Sequence, residues 1–197
     1  MEISVITPVY RAERFVQRAV ESALAQPEVR EVVLVEDGSP DGSFAVCKEL
    51  AATDDRVRLF RHPGGRNKGA GASRNLGMDK AQCEYLAFLD ADDFFLPGRF
   101  AKTRSVFDKH PDADGVYEAV GSHFENSQTR NAWLNDRSEV TTVTRAVAPN
   151  ELFEQMEPFG NAGFFFFFLL TIRRDVLNRV GEFPERLRLH PDTAFFM

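Results

Sequence analysis

The sequence predicts an α/β fold, a mostly parallel central sheet with helices on both faces. Three observations carry this expectation. Short apolar strand patterns alternate with amphipathic helix patterns along residues 1–110. The helical stretches are long enough to serve as crossovers between parallel strands. Polar, turn-rich clusters follow the strands, and right-handed crossovers bring those ends to one edge, where open α/β sheets bind ligands.

Taken in order, Ile3–Thr7 is a short apolar strand. Ala12–Gln26 follows as a helix with Phe15, Val16, Ala19, Val20 and Leu24 at helical spacing. Glu31–Val35 is a second strand, running into the dense turn cluster Glu36-Asp37-Gly38-Ser39-Pro40-Asp41-Gly42. Ser43–Thr53 reads as a helix and Arg56–Arg61 as a third strand. A loop with Gly64, Gly65, Gly69 and Gly71 enters a helix over about Ala72–Gln82. The fourth strand, Tyr85–Leu89, ends in Asp90-Ala91-Asp92-Asp93, and Pro97 marks the next helix start. Beyond residue 110 the pattern is less regular. Gly115–His123 reads as a strand, 125–139 as a solvated loop, and Asn150–Glu157 as a short helix. Phe164–Ile172, with five consecutive phenylalanines, reads as a strand buried on both faces, a subset of which could stack on a sugar. Arg174–Val180 is a helix closed by Gly181.

The bulk numbers set limits on function. With 43% apolar and 27% charged residues in 197, the chain holds enough apolar material for a sizeable core in one domain. A net charge of −6 argues against non-specific nucleic-acid binding, which needs a basic face. Cys47 and Cys83 lack the spacing of a metal or redox motif and read as small buried residues in a reducing compartment. No signal-peptide pattern opens the chain, and the run Ala162–Ile172 is too short to span a bilayer. The expected address is cytoplasmic. Asp192-Thr-Ala-Phe-Phe-Met197 reads as a helix start without a stop signal, so a longer protein is expected. Its further C-terminal region would offer peripheral association with the inner face of the membrane.

The run Asp90-Ala91-Asp92-Asp93 carries the chemistry. Carboxylates crowded at the end of an apolar strand repel one another unless a cation or several donors offset them. Their oxygen ligands suit Mg²⁺ or Mn²⁺, which are commonly held by one or two carboxylates together with substrate phosphates. If the segment stays extended, Asp90 and Asp92 share one side. By itself such a run could equally be a turn or a helix cap.

Four segments in this order and spacing resemble family 2 of the GT-A glycosyltransferases. They are Ser4-Val-Ile-Thr-Pro-Val-Tyr10; Val35-Glu-Asp-Gly-Ser39 with Asp41-Gly42; Asn67-Lys-Gly-Ala-Gly-Ala-Ser-Arg-Asn-Leu-Gly77; and Tyr85-Leu-Ala-Phe-Leu-Asp-Ala-Asp-Asp93. The resemblance implies a GT-A, Rossmann-like domain over 1–197. Residues 1–110 would form the nucleotide-sugar-binding half and 111–197 the acceptor-side half. It further implies that Pro8, Val9 and Tyr10 line the base and ribose pocket and that Asp37 accepts a hydrogen bond from the base. Gly69 and Arg74 would help hold the nucleotide, Asp90 and Ala91 would lie near the ribose or donor sugar, and Asp92 would coordinate Mn²⁺ or Mg²⁺ on the diphosphate. Glu36 departs mildly from the family, which more often has Asp there.

Taken singly, these residues have simpler readings. Asp37-Gly38-Ser39 could be a plain turn, Arg74 a surface cation, and Tyr10 a packed aromatic. In the second half, Gly181-Glu-Phe-Pro-Glu-Arg-Leu-Arg-Leu-His-Pro-Asp192 resembles the stretch that ends in the family's general base. Asp192 takes that position, with Pro191 where the family usually has Glu; Asp192 before Thr193 is also a good helix N-cap. His62, His110, His123 and His190 show no ligand spacing.

The implied reaction is inverting transfer of a sugar from a nucleotide-sugar, UDP by resemblance, to a hydroxyl of a saccharide, glycolipid or glycoprotein acceptor. Two alternatives stand beside it. One is a GT-A module that binds nucleotide without turnover. The other is a sugar nucleotidyltransferase, which would need a glycine-rich basic loop after the first strand, where Tyr10-Arg-Ala-Glu-Arg14 has no glycine.

Overall fold

The computed structural model describes residues 1–118, 120–121, 123–124, 128, 140–141 and 170–184. Its elements are β1 (Ile3–Val9), α1 (Val16–Leu24), β2 (Val29–Glu36), α2 (Ser43–Thr53), β3 (Val57–Arg61), α3 (Ala70–Lys80), β4 (Tyr85–Phe88), α4 (Ala101–Lys109) and β5 (Gly115–Tyr117). After them come β6 (Val120–Gly121), β7 (Val140–Thr141) and β8 (Leu170–Arg173), then a 3₁₀ turn (Arg174–Val176) and α5 (Leu177–Val180).

The six-stranded sheet has the order β3-β2-β1-β4-β8-β5. Strands β1 to β4 pair in parallel, while β8 runs antiparallel between β4 and β5. Strand alternation sorts the side chains onto two faces. Ile3, Val5, Leu34 and Ala87 pack with Val16, Ala19, Val20 and Ala23 of α1, Cys47 of α2 and Phe107 of α4. Ile6, Val33, Val35, Leu86 and Phe88 pack on the other face with Met78 of α3, Ile172 of β8 and Phe183. The predicted α/β sheet with helices on both faces is what the chain forms. α3 lies close on β1, because a Cβ at Gly77 would collide with Ile6 Cγ2.

Several predicted boundaries move for identifiable reasons. α1 starts at Val16 rather than Ala12, because the chain before it is tied sideways. Ala12 N–H donates to Ser43 Oγ (2.9 Å) and Arg11, at φ 53°, donates to Ser39 Oγ (3.2 Å). α4 starts at Ala101 rather than just after Pro97, since Gly98 sits at φ 75°, outside helical space. The strand expected over Gly115–His123 divides: β5 pairs with β8, whereas Val120–Gly121 pairs with Val140–Thr141. Of the strand predicted at Phe164–Ile172, Leu170 onward forms β8; Phe164–Phe168 and Asn150–Glu157 lie outside the described residues. Gly181 closes α5 at φ 82°, as expected.

Candidate functional site

The strand order reverses between β1 and β4, since β2 and β3 lie to one side of β1 and β4 to the other. A crevice outside the carboxyl ends of strands at such a switch point is where open α/β sheets bind ligands. Three loops arrive there: Tyr10–Arg11 after β1, Asp37–Ser39 after β2, and Asp90–Asp93 beyond β4. Val9 is fully buried, whereas Tyr10 is 45% exposed at the rim.

The loop after β2 is internally complete. Glu36 is fully buried; one carboxylate oxygen accepts the N–H of Ser39 (2.5 Å) and the other accepts from Arg61 Nε (2.6 Å). Asp37 N–H donates to Val9 C=O (2.9 Å), which locks this loop to the end of β1. The Asp37 carboxylate accepts from Lys68 N–H (2.7 Å) and Gly69 N–H (2.8 Å), so it fixes the entry to α3. One lone pair on each oxygen is left for a further donor. Gly38 is required by geometry: at φ 69°, its Cβ would lie 2.6 Å from Gly65 O and 2.8 Å from Asn67 N. Gly69 opens α3 at φ 93° with nothing within 4 Å of a Cβ, leaving its backbone unshielded. His62 Nε2 lies 3.1 Å from Ser73 Oγ and 3.7 Å from Asp37 Oδ1.

The loop after β4 is organised differently. β4 ends at Phe88, and Asp93 N–H donates to Asp90 C=O (3.1 Å), which makes Asp90–Asp93 a turn. The extended Asp-Ala-Asp arrangement considered from sequence is therefore corrected. Three carboxylates in four residues relieve their repulsion better by turning than by lying along one face of a strand. Asp90 is compensated, because Arg74 Nη2 donates to its Oδ1 at 2.9 Å. Arg74 is 4% exposed, so the surface-cation reading of it is corrected too; its helix faces the sheet rather than solvent at this position. Ala91 is buried and Asp92 exposed. Asp93 is half-buried; burial, and then the charges of Asp92 and Asp90, raise its carboxyl pKa to about 6. Among the described residues, no ion pair offsets Asp92 or Asp93.

This donor set fits a hard divalent cation. Carboxylate oxygens are its ligand chemistry, and a cation would offset the burial and the neighbouring charges that raise the Asp93 carboxyl. Among the described residues, no three His, Cys, Asp or Glu side chains form a ready-made cage. That pattern suits Mg²⁺ or Mn²⁺, which take much of their coordination from substrate phosphate and water.

A residue that sequence reasoning passed over is Asn75. Its amide donates to Phe183 C=O (2.9 Å) and accepts from Phe183 N–H (2.8 Å), clamping the segment that leads toward residue 192. The signal was present, since Asn75 follows Arg74 within one of the four segments named above. Arg61 was also missed as the partner of Glu36, because nothing in sequence pairs two strands' side chains. Asp192, Pro191 and His190 lie outside the described residues. Cys47 and Cys83 are buried and free, with burial first among the causes that raise both thiol pKa values, Cys47 to about 12.

A sequence profile described as "Glycosyl transferase family 2" matches residues 4–181, which include all three loops. The chain belongs to this family. An uncharacterized glycosyltransferase of Haemophilus influenzae is 41% identical over 101 residues, 51% of this chain and 40% of that protein. The uncharacterized glycosyltransferase EpsJ of Bacillus subtilis is 26% identical over 98% of this chain and 54% of its own length. The chain thus spans about half, or less, of the curated relatives it matches. Among solved structures, S. aureus TarS 1–349 in complex with UDP superposes with a TM-score of 0.72 at 21% identity, covering 100% of this chain and 54% of that one. The mannosyltransferase PcManGT of Pyrobaculum calidifontis, in complex with GDP-Man and Mn²⁺, gives a TM-score of 0.62 at 20% identity, covering 98% and 50%. These likenesses show the GT-A fold of the family 2 domain.

Among the described residues, no helix is long and apolar enough to cross a membrane.

Proposed function

We propose that this family 2 domain is the catalytic part of an inverting glycosyltransferase that takes a UDP-sugar and a divalent cation at the carboxyl edge of its sheet. The observation that carries the reading is the undercompensated Asp90–Asp93 turn at the β1/β4 switch point, beside an exposed Tyr10 and a completed Asp37 loop. Family membership supports it, as do the UDP and the GDP-Man with Mn²⁺ bound in structures of the same fold.

In this reading Pro8 and Tyr10 line the base and ribose, while Val9, whose side chain is in the core, holds them in place. The free lone pairs of Asp37 accept from the base, and the open backbone at Gly69 lets the nucleotide approach the start of α3. Arg74 acts through Asp90, holding that carboxylate toward the ribose or donor sugar, with Ala91 packed beneath. Asp92 holds Mn²⁺ or Mg²⁺ together with the diphosphate; when bound, the ion supplies neutralisation of charge developing on the leaving group. Asp192 takes the proton from the acceptor hydroxyl as its oxygen bonds to C1 of the sugar and the bond from C1 to the diphosphate oxygen breaks, releasing UDP. The acceptor is a saccharide, glycolipid or glycoprotein, and assembly of a polysaccharide at the cytoplasmic face of a membrane suits such a transferase.

Calorimetric titration of UDP, GDP and dTDP, with and without Mn²⁺, tests the donor site. The expected result is Mn²⁺-dependent binding of UDP that is lost in Asp92→Ala. No nucleotide binding by the folded wild type would remove the assignment.

A further inference from the structure

The segment that follows the carboxylate turn forms neither strand nor helix until Ala101, so the sheet does not hold it. Its backbone is bonded instead to two side chains from α1 and the residues just past it. Ser22 Oγ accepts the N–H of Phe95 at 2.9 Å and donates to Ala19 C=O at 2.7 Å. Gln26, 2% exposed, donates from Nε2 to Leu96 C=O (3.1 Å) and to Ser22 C=O (3.0 Å), and its Oε1 accepts from Arg99 N–H (3.0 Å). Both amide N–H groups therefore meet carbonyls and the amide oxygen meets an N–H. The flipped amide would set oxygen against two carbonyls, so the network fixes its orientation.

Packing holds the aromatic side chains of this segment, with Phe95 and Phe100 in the core and the Arg18 guanidinium 3.5 Å from the centre of the Phe94 ring, while these bonds hold its backbone. Phe95 is buried and meets Phe100 edge-on at 5.3 Å, but Leu96 is 68% exposed and its carbonyl is held through Gln26. The far end is fixed as well, by an ion pair between the Arg99 guanidinium and Glu118 just beyond β5. A chain anchored at Phe95, Leu96 and Arg99 leaves the turn two residues before Phe95 with little freedom to rotate.

We propose that Ser22 and Gln26 are positioning residues of the donor site: by holding the backbone of Phe95–Arg99 they fix the direction in which Asp92 presents its carboxylate. The inference rests on the reading of Asp92 as the cation ligand. The sequence carries a faint sign of it, since Gln26 continues the buried spacing Ala19–Ala23 with a polar side chain.

The test measures Mn²⁺ affinity by electron paramagnetic resonance at saturating UDP, and the affinity for uridine, which has no diphosphate to share a metal with, by calorimetry without metal. The variants are Ser22→Ala, Ser22→Thr, Gln26→Met and Gln26→Glu. Gln26→Met keeps length and loses all three bonds; Gln26→Glu keeps the acceptor for Arg99 and loses both donors. Ser22→Ala and Gln26→Met are expected to weaken Mn²⁺ binding about tenfold each, and Gln26→Glu, which sets an oxygen against the carbonyls of Leu96 and Ser22, at least as much. Metal-free uridine affinity should stay unchanged, and Ser22→Thr should return Mn²⁺ binding to within about twofold of wild type. If the Gln26 variants fail to fold, the Ser22 pair decides. Variants that unfold more easily yet bind Mn²⁺ as wild type does would overturn the proposal while leaving Asp92 intact. A folded wild type that binds UDP but no Mn²⁺ would instead overturn the Asp92 reading, and this inference with it.

Discussion

The two acidic turns at the carboxyl edge of the sheet, Glu36–Ser39 after β2 and Asp90–Asp93 after β4, use the same residue types and end in opposite electrostatic states. In the first, both carboxylates are almost fully buried and both are satisfied, by Arg61 and by the backbone N–H groups of Ser39, Lys68 and Gly69. In the second, Arg74 answers Asp90, while Asp93 is pushed up to about 6 by burial and by its acidic neighbours. A buried carboxylate with its donors already in place is part of the framework. A carboxylate cluster left short of positive charge is tolerated where it is partly exposed, and a bound cation would complete it. The same residue type thus builds on one loop and recruits on the next.

That contrast can be broken most directly at Glu36. Glu36 is buried while its partner Arg61 reaches solvent, so Glu36→Ala loses the bonds to Arg61 and Ser39 without stranding a buried charge and should cost about 3 kcal/mol in urea unfolding. A loss below about 1 kcal/mol would mean the first turn is not the framework element described here. Gly38→Ala tests the same turn through its backbone. A left-handed φ and a close approach to Gly65 and Asn67 should together cost about 2 kcal/mol, visible as a lower unfolding midpoint.

The second turn should respond with the opposite sign. Asp93 has a folded pKa near 6, above its ordinary value, so the folded state binds the proton more tightly than the unfolded state does. Its contribution to stability is therefore fully present only below the ordinary carboxyl value of 3.8 and is lost as pH rises through about 6. Asp93→Asn should accordingly stabilise the metal-free protein by about 1 kcal/mol at about pH 7.5, a figure reduced for solvent screening, and by about a third of that near pH 4.5. Thermal melts at the two pH values read the difference. The smallest stability change is expected at exposed Asp92. Asp92→Asn should move unfolding by less than about 0.5 kcal/mol while Mn²⁺-dependent UDP binding falls at least about tenfold in calorimetry. Equal binding by that variant would place the cation elsewhere.

Much of the framework was legible because it follows from local pattern. α2 occupies Ser43–Thr53 as its polar–apolar spacing predicts, and Tyr85 begins a strand that an apolar run with few rival conformations allows. Asp37, Arg74, Asp90 and Asp92 were picked out by the order of four short segments, and the fold brings their loops to one edge. Less legible was whatever depends on partners distant along the chain. Glu36 looked like a mild departure until Arg61, on the neighbouring strand, proved to need its longer reach. Arg74 could have faced water until α3 was seen packed on β1 through Gly77. The late start of α4 after Gly98 and the split after Tyr117 turn on a single positive φ and on a strand, β8, that joins from more than fifty residues later.

What the sequence determined by itself is the alternation of elements and the placing of carboxylates and glycines at strand ends, since these depend on residues close along the chain. The tertiary structure decided which carboxylates are answered and which are left short of charge. That distinction comes from strand order and helix packing, because a charge buried in the fold is stabilised by whatever donor the far chain brings within reach.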